Sequence, residues 1–239
     1  MGARARQPDY CRVYCRDNES QALIMKILIA DDHPLFRAAL RQAVDVSFQR
    51  AEIVEADSLA SLEKLGEDQV PFDLILLDLH MPGTHGFSGL IYLRELYRKV
   101  PVVVISANEA VEVVQRSLQF GADGFIPKSA SVEAMTRALS RIMDGERWVP
   151  EYARRHAPPD PGEFAGMRER ITQLTPQQFR VMGMLMEGMQ NKVIAYELDV
   201  SEATVKAHMT AIFRKLGVRN RTQAVLALKD LAIEPPGLE

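Results

Sequence analysis

The chain has 239 residues, 47% of them hydrophobic, and 29 Lys and Arg against 32 Asp and Glu give a net charge of −3. That length exceeds the usual single domain and predicts two domains with one modest core each. No apolar run approaches the ~20 residues needed to span a bilayer, and the first residues lack the apolar centre of a secretory signal, so a cytoplasmic protein without membrane contact is expected. The charge is unevenly spread: Lys26 to Arg147 carries 13 basic and 18 acidic side chains, a net of −5, whereas Ala203 to Arg221 has five basic residues and no acid. An acidic half and a basic stretch point to different partners.

In chain order, residues 1–24 are Arg-rich without a sustained period and read as a disordered extension, or as an artefact of start-site choice with Met25 the initiator. Cys11 and Cys15, the only cysteines, lie there without a matching Cys or His pair, which predicts reduced, structurally idle thiols.

From Met25 onward, short runs rich in Val, Ile and Leu (KILIA, FDLILL, VVVI, GFIP) alternate with segments of helical period. Such runs predict strands buried on both faces of a parallel sheet, joined by helices in an α/β domain. Each run stops at a polar residue: Asp31 and Asp32, then Asp78, then Ser106, then Lys128. One Asp at a strand end is ordinarily a turn or cap residue. In a doubly wound sheet, however, chemistry gathers beyond the carboxyl ends of the strands, and all five residues are there. Crowded carboxylates repel one another unless a hard cation such as Mg2+ neutralises them. Mg2+ typically uses one or two carboxylates plus phosphate oxygens, which leaves Asp78 to attack phosphorus as an aspartyl nucleophile. Lys128 would stabilise charge on the moving oxygens, and Ser106 would donate a hydrogen bond to one of them.

ADDHPLFR, LILLDLHMPG, VVVISA and GADGFIPK resemble, in order and spacing, the signature stretches of response-regulator receiver domains. The resemblance covers about Lys26 to Arg147 and implies a flavodoxin-like receiver with a five-stranded parallel sheet. It implies that Asp78 is the phosphoacceptor, Asp32 a direct Mg2+ ligand, Asp31 a ligand through water, and the backbone carbonyl of His80 a further ligand. Ser106 would be the switch hydroxyl and Lys128 the phosphate-contacting lysine. Phe125 falls at the position of the family's rotating aromatic, where Tyr is commoner, so its inward repacking would rest on packing alone.

Between Gly145 and Arg170, Pro158, Pro159, Pro161, Gly162 and Gly166 predict a linker, with a short helical turn near Glu151 to Arg155. The expected division is therefore a receiver over 25–146, a linker over 147–169 and a helical domain over 170–234. In the last, Thr175-Pro176 opens a helix closed by Gly188, and Asn191 caps the next. A turn at Asp199-Val200 precedes a third helix, from Ser201 to the stop at Gly217, and Arg221-Thr222 opens a fourth. This spacing predicts a helix-turn-helix unit whose third helix enters the DNA major groove. Lys206, Ala207 and Thr210 face away from apolar Val205, Ile212 and Leu216, toward base edges, while Arg214, Lys215, Arg219 and Arg221 lead toward phosphates.

LTPQQFRVMGMLMEGMQNKVIAYELDVSEATVKAHMTAIFRKLGVRNRTQAV resembles the four-helix DNA-binding domain of LuxR-type regulators. By that likeness Lys206, Ala207 and Thr210 match base-facing positions, His208 lies on the same helix, and the last helix is a dimerisation element. Arg180 departs from the family, which commonly has Glu there, as do Val193 and the uncharged Thr210. The two resemblances together imply a two-component response regulator of the NarL/FixJ type. A sensor histidine kinase would phosphorylate Asp78, and a homodimer would then bind double-stranded DNA and act on RNA polymerase. Two other readings use the same residues: a phosphorylation-independent regulator whose receiver only dimerises or senses a ligand, and an aspartate-nucleophile phosphohydrolase. The latter needs a general acid two residues after the nucleophile, where this chain has His80.

Overall fold

The computed structural model describes residues 24–84, 86–155, 166, 169–171 and 173–229. The expected amino-terminal extension, apart from Ile24, lies outside the described residues with Cys11 and Cys15, and so does most of the Pro-rich stretch.

Five strands form one parallel sheet in the order β2-β1-β3-β4-β5: β1 (Met25–Ala30), β2 (Ala51–Ala56), β3 (Leu74–Asp78), β4 (Val102–Ser106) and β5 (Gly124–Pro127). The helices between them are α1 (Pro34–Ser47), α2 (Leu59–Glu67), α3 (Ser88–Leu96) and α4 (Val111–Gln119), with α5 (Val132–Met143) following β5. Period-two alternation sends Ile27, Ile29, Leu74, Leu76, Val103, Ile105 and Ile126 to one face, against Leu40 and Val44 of α1 and Leu139 and Ile142 of α5. Leu28, Ile75, Leu77, Val102, Val104 and Phe125 take the other face, with Leu62, Leu90, Leu93 and Val114 of α2, α3 and α4. Burial on both faces is why the central strands read as unbroken apolar runs. Strand β2, at the edge, is instead half-exposed and carries Glu52 and Glu55.

The first residues expected to be linker return to the sheet. Phe125 donates its N–H to the carbonyl of Trp148 at 3.0 Å, and the Trp148 ring lies between the guanidinium groups of Arg141 and Arg154, 5.8 and 5.6 Å away. The expected helical turn is present as α6 (Glu151–Arg154), with Ala153 buried.

The carboxyl-terminal unit contains α7 (Pro176–Met186), α8 (Asn191–Glu197), α9 (Glu202–Leu216) and α10 (Arg221–Lys229). Thr175 caps α7 by accepting from the Gln178 N–H at 3.3 Å, while the Gln178 side chain accepts from the Thr175 N–H at 3.2 Å, a reciprocal capping box. Gly188 follows α7 with φ +80° and Gly217 ends α9 with φ +72°, a left-handed conformation that glycine adopts without strain. Asp199 takes a positive φ in the turn between α8 and α9. One expectation shifts by a residue: Gln190, in extended conformation, is the N-cap of α8, and Asn191 is its first helical residue. The core consists of Phe179, Val181, Met182, Leu185, Ile194, Val205, Met209, Ile212, Leu216 and Ala224, all buried.

Candidate functional site

The connection leaving β1 runs to β2 and the one leaving β3 runs to β4, in opposite directions along the sheet, so a crevice opens beyond the carboxyl ends of β1 and β3. Asp31 and Asp32 follow β1, and Asp78 ends β3, so this topology brings the three carboxylates together. One oxygen of each and Nδ1 of His33 all lie within 4.8 Å of one another, and this group could hold a metal ion. Asp31 and Asp78 are essentially inaccessible to solvent, and Asp32 is partly open.

Lys128, just beyond β5, reaches into the group: its Nζ lies 2.7 Å from Asp31 Oδ2 and 2.7 Å from Asp78 Oδ2. The same ammonium stands 4.9 Å above the Phe36 ring, a further favourable contact for a partly desolvated cation. Ser106 is wholly buried at the end of β4, beside Asp78 in the sheet, since Asp78 pairs with Ile105. Its Oγ accepts the Asn108 N–H at 3.1 Å, and its carbonyl accepts the Lys128 N–H at 2.8 Å, which ties the two side chains to one edge.

Neighbouring backbone orients the carboxylates. Asp31 Oδ1 accepts the His33 N–H at 2.7 Å, and Asp78 Oδ1 accepts the His80 N–H at 3.1 Å. Asp31 Oδ2 and Asp32 Oδ1 are buried and accept no well-aligned hydrogen bond, even though Lys128 Nζ and His33 Nδ1 are close to them. A buried carboxylate oxygen without an aligned donor is costly. A hard cation taking all-oxygen ligands suits both atoms, so the donor set fits an ion of the Mg2+ class. His33 joins the cluster 2.7 Å from Asp32, a participant that sequence reasoning passed over although it adjoins the Asp pair. The His80 ring is half-buried, and burial pushes its pKa down despite the opposing charge of Asp78.

Phe125 is fully buried, packed on the same sheet face as Val104 and Val114. The inward position expected for this ring is thus the one it holds in this state, with no hydroxyl to hold it at the surface.

On α9, Lys206, Ala207 and Thr210 are exposed, His208 is half-buried, and Val205, Met209, Ile212 and Leu216 point into the core. Thr210 Oγ1 donates back to the Lys206 carbonyl at 2.9 Å, as helical threonines commonly do. Arg214 and Arg219 are exposed. Lys215 and Arg221, expected to lead toward phosphates, are turned inward. Lys215 Nζ donates to the Gln173 carbonyl at 2.7 Å and to Gln178 Oε1 at 2.6 Å. Arg221 donates to the carbonyls of Leu185 and Met189 at 3.1 and 2.7 Å, which ties the start of α10 to the end of α7.

Comparison with known proteins accords with this two-part construction. Residues 27–140 match the response regulator receiver domain, and residues 172–228 match the bacterial regulatory proteins of the luxR family. The chain is 43% identical over 215 residues to the glycerol metabolism activator of Pseudomonas putida, covering 86% of this chain and 96% of that protein. It is 33% identical over 207 residues to the nitrate/nitrite response regulator NarL of Escherichia coli K12, covering 84% and 93% respectively. RcsB from Salmonella enterica serovar Typhimurium, solved on promoter P1flhDC in the presence of phosphomimetic BeF3-, shares the fold with a TM-score of 0.51 at 22% identity, over 87% of this chain and 99% of that one. With a receiver, a LuxR-type helical domain and relatives aligned along nearly their whole length, the chain belongs to the NarL-type two-component response regulators.

Proposed function

We propose that this protein is a DNA-binding transcription regulator switched by phosphorylation of Asp78, with a sensor histidine kinase as donor. The observation that carries this reading is Lys128 Nζ at 2.7 Å from both Asp31 and Asp78, in a pocket where Asp31 Oδ2 and Asp32 Oδ1 lack aligned donors among the described residues. Asp32, Asp78 and the backbone carbonyl of His80 would hold Mg2+, with Asp31 acting through water. When bound, the ion supplies positive charge to offset the carboxylates and the incoming phosphoryl oxygens. The Asp78 carboxylate attacks phosphorus, its new O–P bond forming as the P–N bond to the donor histidine breaks. Lys128 then redirects an N–H from Asp78 to a phosphoryl oxygen, and the Ser106 hydroxyl donates to another. Since Lys128 and Ser106 are joined through the 2.8 Å backbone hydrogen bond, their movement shifts the ends of β4 and β5 together.

A regulator is favoured over a phosphohydrolase by the state of His80. The position where such hydrolysis needs a general acid holds an imidazole and no carboxylic acid, and burial pushes its pKa down. Phosphorylated chains would pair and read two DNA half-sites in the cytoplasm, touching RNA polymerase from the bound dimer. Base reading falls to Lys206, Ala207 and Thr210, with His208 alongside, and phosphate contact to Arg214 and Arg219.

Two measurements check the parts separately. Magnesium should raise the thermal unfolding midpoint by the equivalent of about 2.7 kcal/mol at a hundredfold excess over Kd, and a midpoint indifferent to Mg2+ removes the ion from the account. Lys206→Ala should weaken binding to selected duplexes by ~1 to 3 kcal/mol and relax the preference at one base pair. An unchanged footprint and unchanged preference would exclude Lys206 from base reading.

A further inference from the structure

Glu63 of α2 is buried, yet its sequence neighbours Lys64 and Glu67 read as ordinary helix surface. What covers it comes from the other unit: Arg180 of α7 places Nε 2.8 Å from Glu63 Oε2, with side-chain exposures of 33% and 7%. Beside the pair, the rings of Tyr92 on α3 and Phe179 on α7 lie 5.7 Å apart. A seam continues between Ile91 and Leu96 of α3 and Ile171 and Leu174 before α7. Arg180 is one of the residues at which the chain departs from the LuxR pattern. The departure thus sits where the two units meet.

We propose that the α2–α3 face of the receiver is a seat for the first helix of the DNA-binding unit, aligned by Arg180 on Glu63, and that it fixes the orientation of that unit while its reading helix stays open. The apolar seam supplies the attraction, because burial of aromatic and aliphatic surface is favourable whatever the register. The ion pair supplies the register. A buried pair is a weak source of net stability, since desolvation opposes the attraction, and Glu63 shows the balance. Burial pushes its carboxyl up to about 7, outweighing the opposing pull of Arg180, with Glu67 adding to the rise. The groups facing it are Arg180 from α7, Tyr92 from α3 and Glu67 from its own helix; Glu63 Oε1 accepts no hydrogen bond. Exposed Lys206, Ala207 and Thr210 lie outside the seam. Docking therefore governs how two reading heads can be placed relative to each other, and leaves a single head accessible to DNA.

The test uses the full chain. Small-angle scattering of Arg180→Glu should show a larger radius of gyration than wild type, because two carboxylates then meet in the seam, and the swap Glu63→Arg with Arg180→Glu should return toward the wild-type value. The affinity of unphosphorylated Arg180→Glu for one half-site should stay within about threefold of wild type. Acetyl phosphate labelling of each variant verifies a folded receiver. The proposal is overturned if Arg180→Glu is as compact as wild type, if the swap is as expanded as the single variant, or if half-site affinity rises tenfold or more on opening.

Glu63→Gln provides a separate reading of the seat by pH. A carboxyl raised from 4.5 to about 7 in the folded chain contributes stability that is present below pH 4.5 and lost as pH rises through about 7. Glutamine does not titrate, so Glu63→Gln should unfold at a higher temperature than wild type above pH 7, with the gap closing toward pH 4.5. A constant gap across that range contradicts the assignment of Glu63 as the strained group.

Discussion

Asp78→Asn is expected to lose acetyl phosphate labelling by roughly a thousandfold or more, the order seen when a covalent nucleophile is removed. The amide keeps the shape of the carboxylate at the end of β3 and can still accept the His80 N–H, so the sheet is undisturbed. It cannot form the O–P bond, and it removes one negative charge from the group around Lys128. A neutral residue beside Asp31 and Asp32 also lowers the repulsion within the cluster, so the variant should unfold at the same or a higher temperature than wild type in the absence of Mg2+. Loss of labelling with stability retained separates chemistry from folding. Continued labelling of Asp78→Asn, mapped to another residue, would show that the acceptor lies elsewhere.

Lys128→Met should destabilise the receiver by about 3 kcal/mol in chelator, because removing one member of a buried ionic group leaves the others uncompensated. Two nearly inaccessible carboxylates, Asp31 and Asp78, share this one ammonium at 2.7 Å, and no other lysine or arginine within salt-bridge distance of them appears among the described residues. Methionine preserves much of the stem while deleting the charge, and with it the ammonium's contact with the Phe36 ring. Added Mg2+ should recover a large part of the loss, since the ion then carries the compensation alone and meets less competing positive charge. Urea unfolding with and without Mg2+ measures both quantities. Equal stability of Lys128→Met and wild type in chelator would mean that the cluster is held by something other than this lysine.

The sheet and its reactive edge were legible because two physical demands coincide in the sequence. Strands covered on both faces must be continuously apolar, and the polar residues that end them must be where the crevice opens. Asp31, Asp32, Asp78 and Lys128 meet for that reason. Strand β2 gave no such signal: AEIVEA is half-exposed at the sheet edge, and Glu52 and Glu55 pair with Lys26, Arg37 and Arg41. The helix stops at Gly188 and Gly217 were readable from glycine alone. The roles of Lys215 and Arg221 were not, since a basic run reads as solvated surface until the backbone carbonyls it donates to are placed beside it. Glu63 is the extreme case. Only the tertiary arrangement of α7 shows that a carboxylate is covered there.

Phe125 illustrates a different limit. Its position predicted a ring that moves, and the structure has it inside, against Val104 and Val114. Under the proposed phosphorylation of Asp78, transmission would rest on Ser106 and Lys128, whose main chains are tied at the ends of β4 and β5 by one hydrogen bond.

Control of DNA binding by a phosphoryl group on Asp78 is measurable as the duplex affinity of wild type and Asp78→Asn with and without acetyl phosphate in Mg2+, on fragments selected from genomic DNA. Acetyl phosphate should tighten binding by wild type, with a steeper salt dependence as a second reading head adds phosphate contacts, and leave Asp78→Asn unchanged. Wild-type affinity indifferent to acetyl phosphate, or an equal response from Asp78→Asn, would contradict control through Asp78.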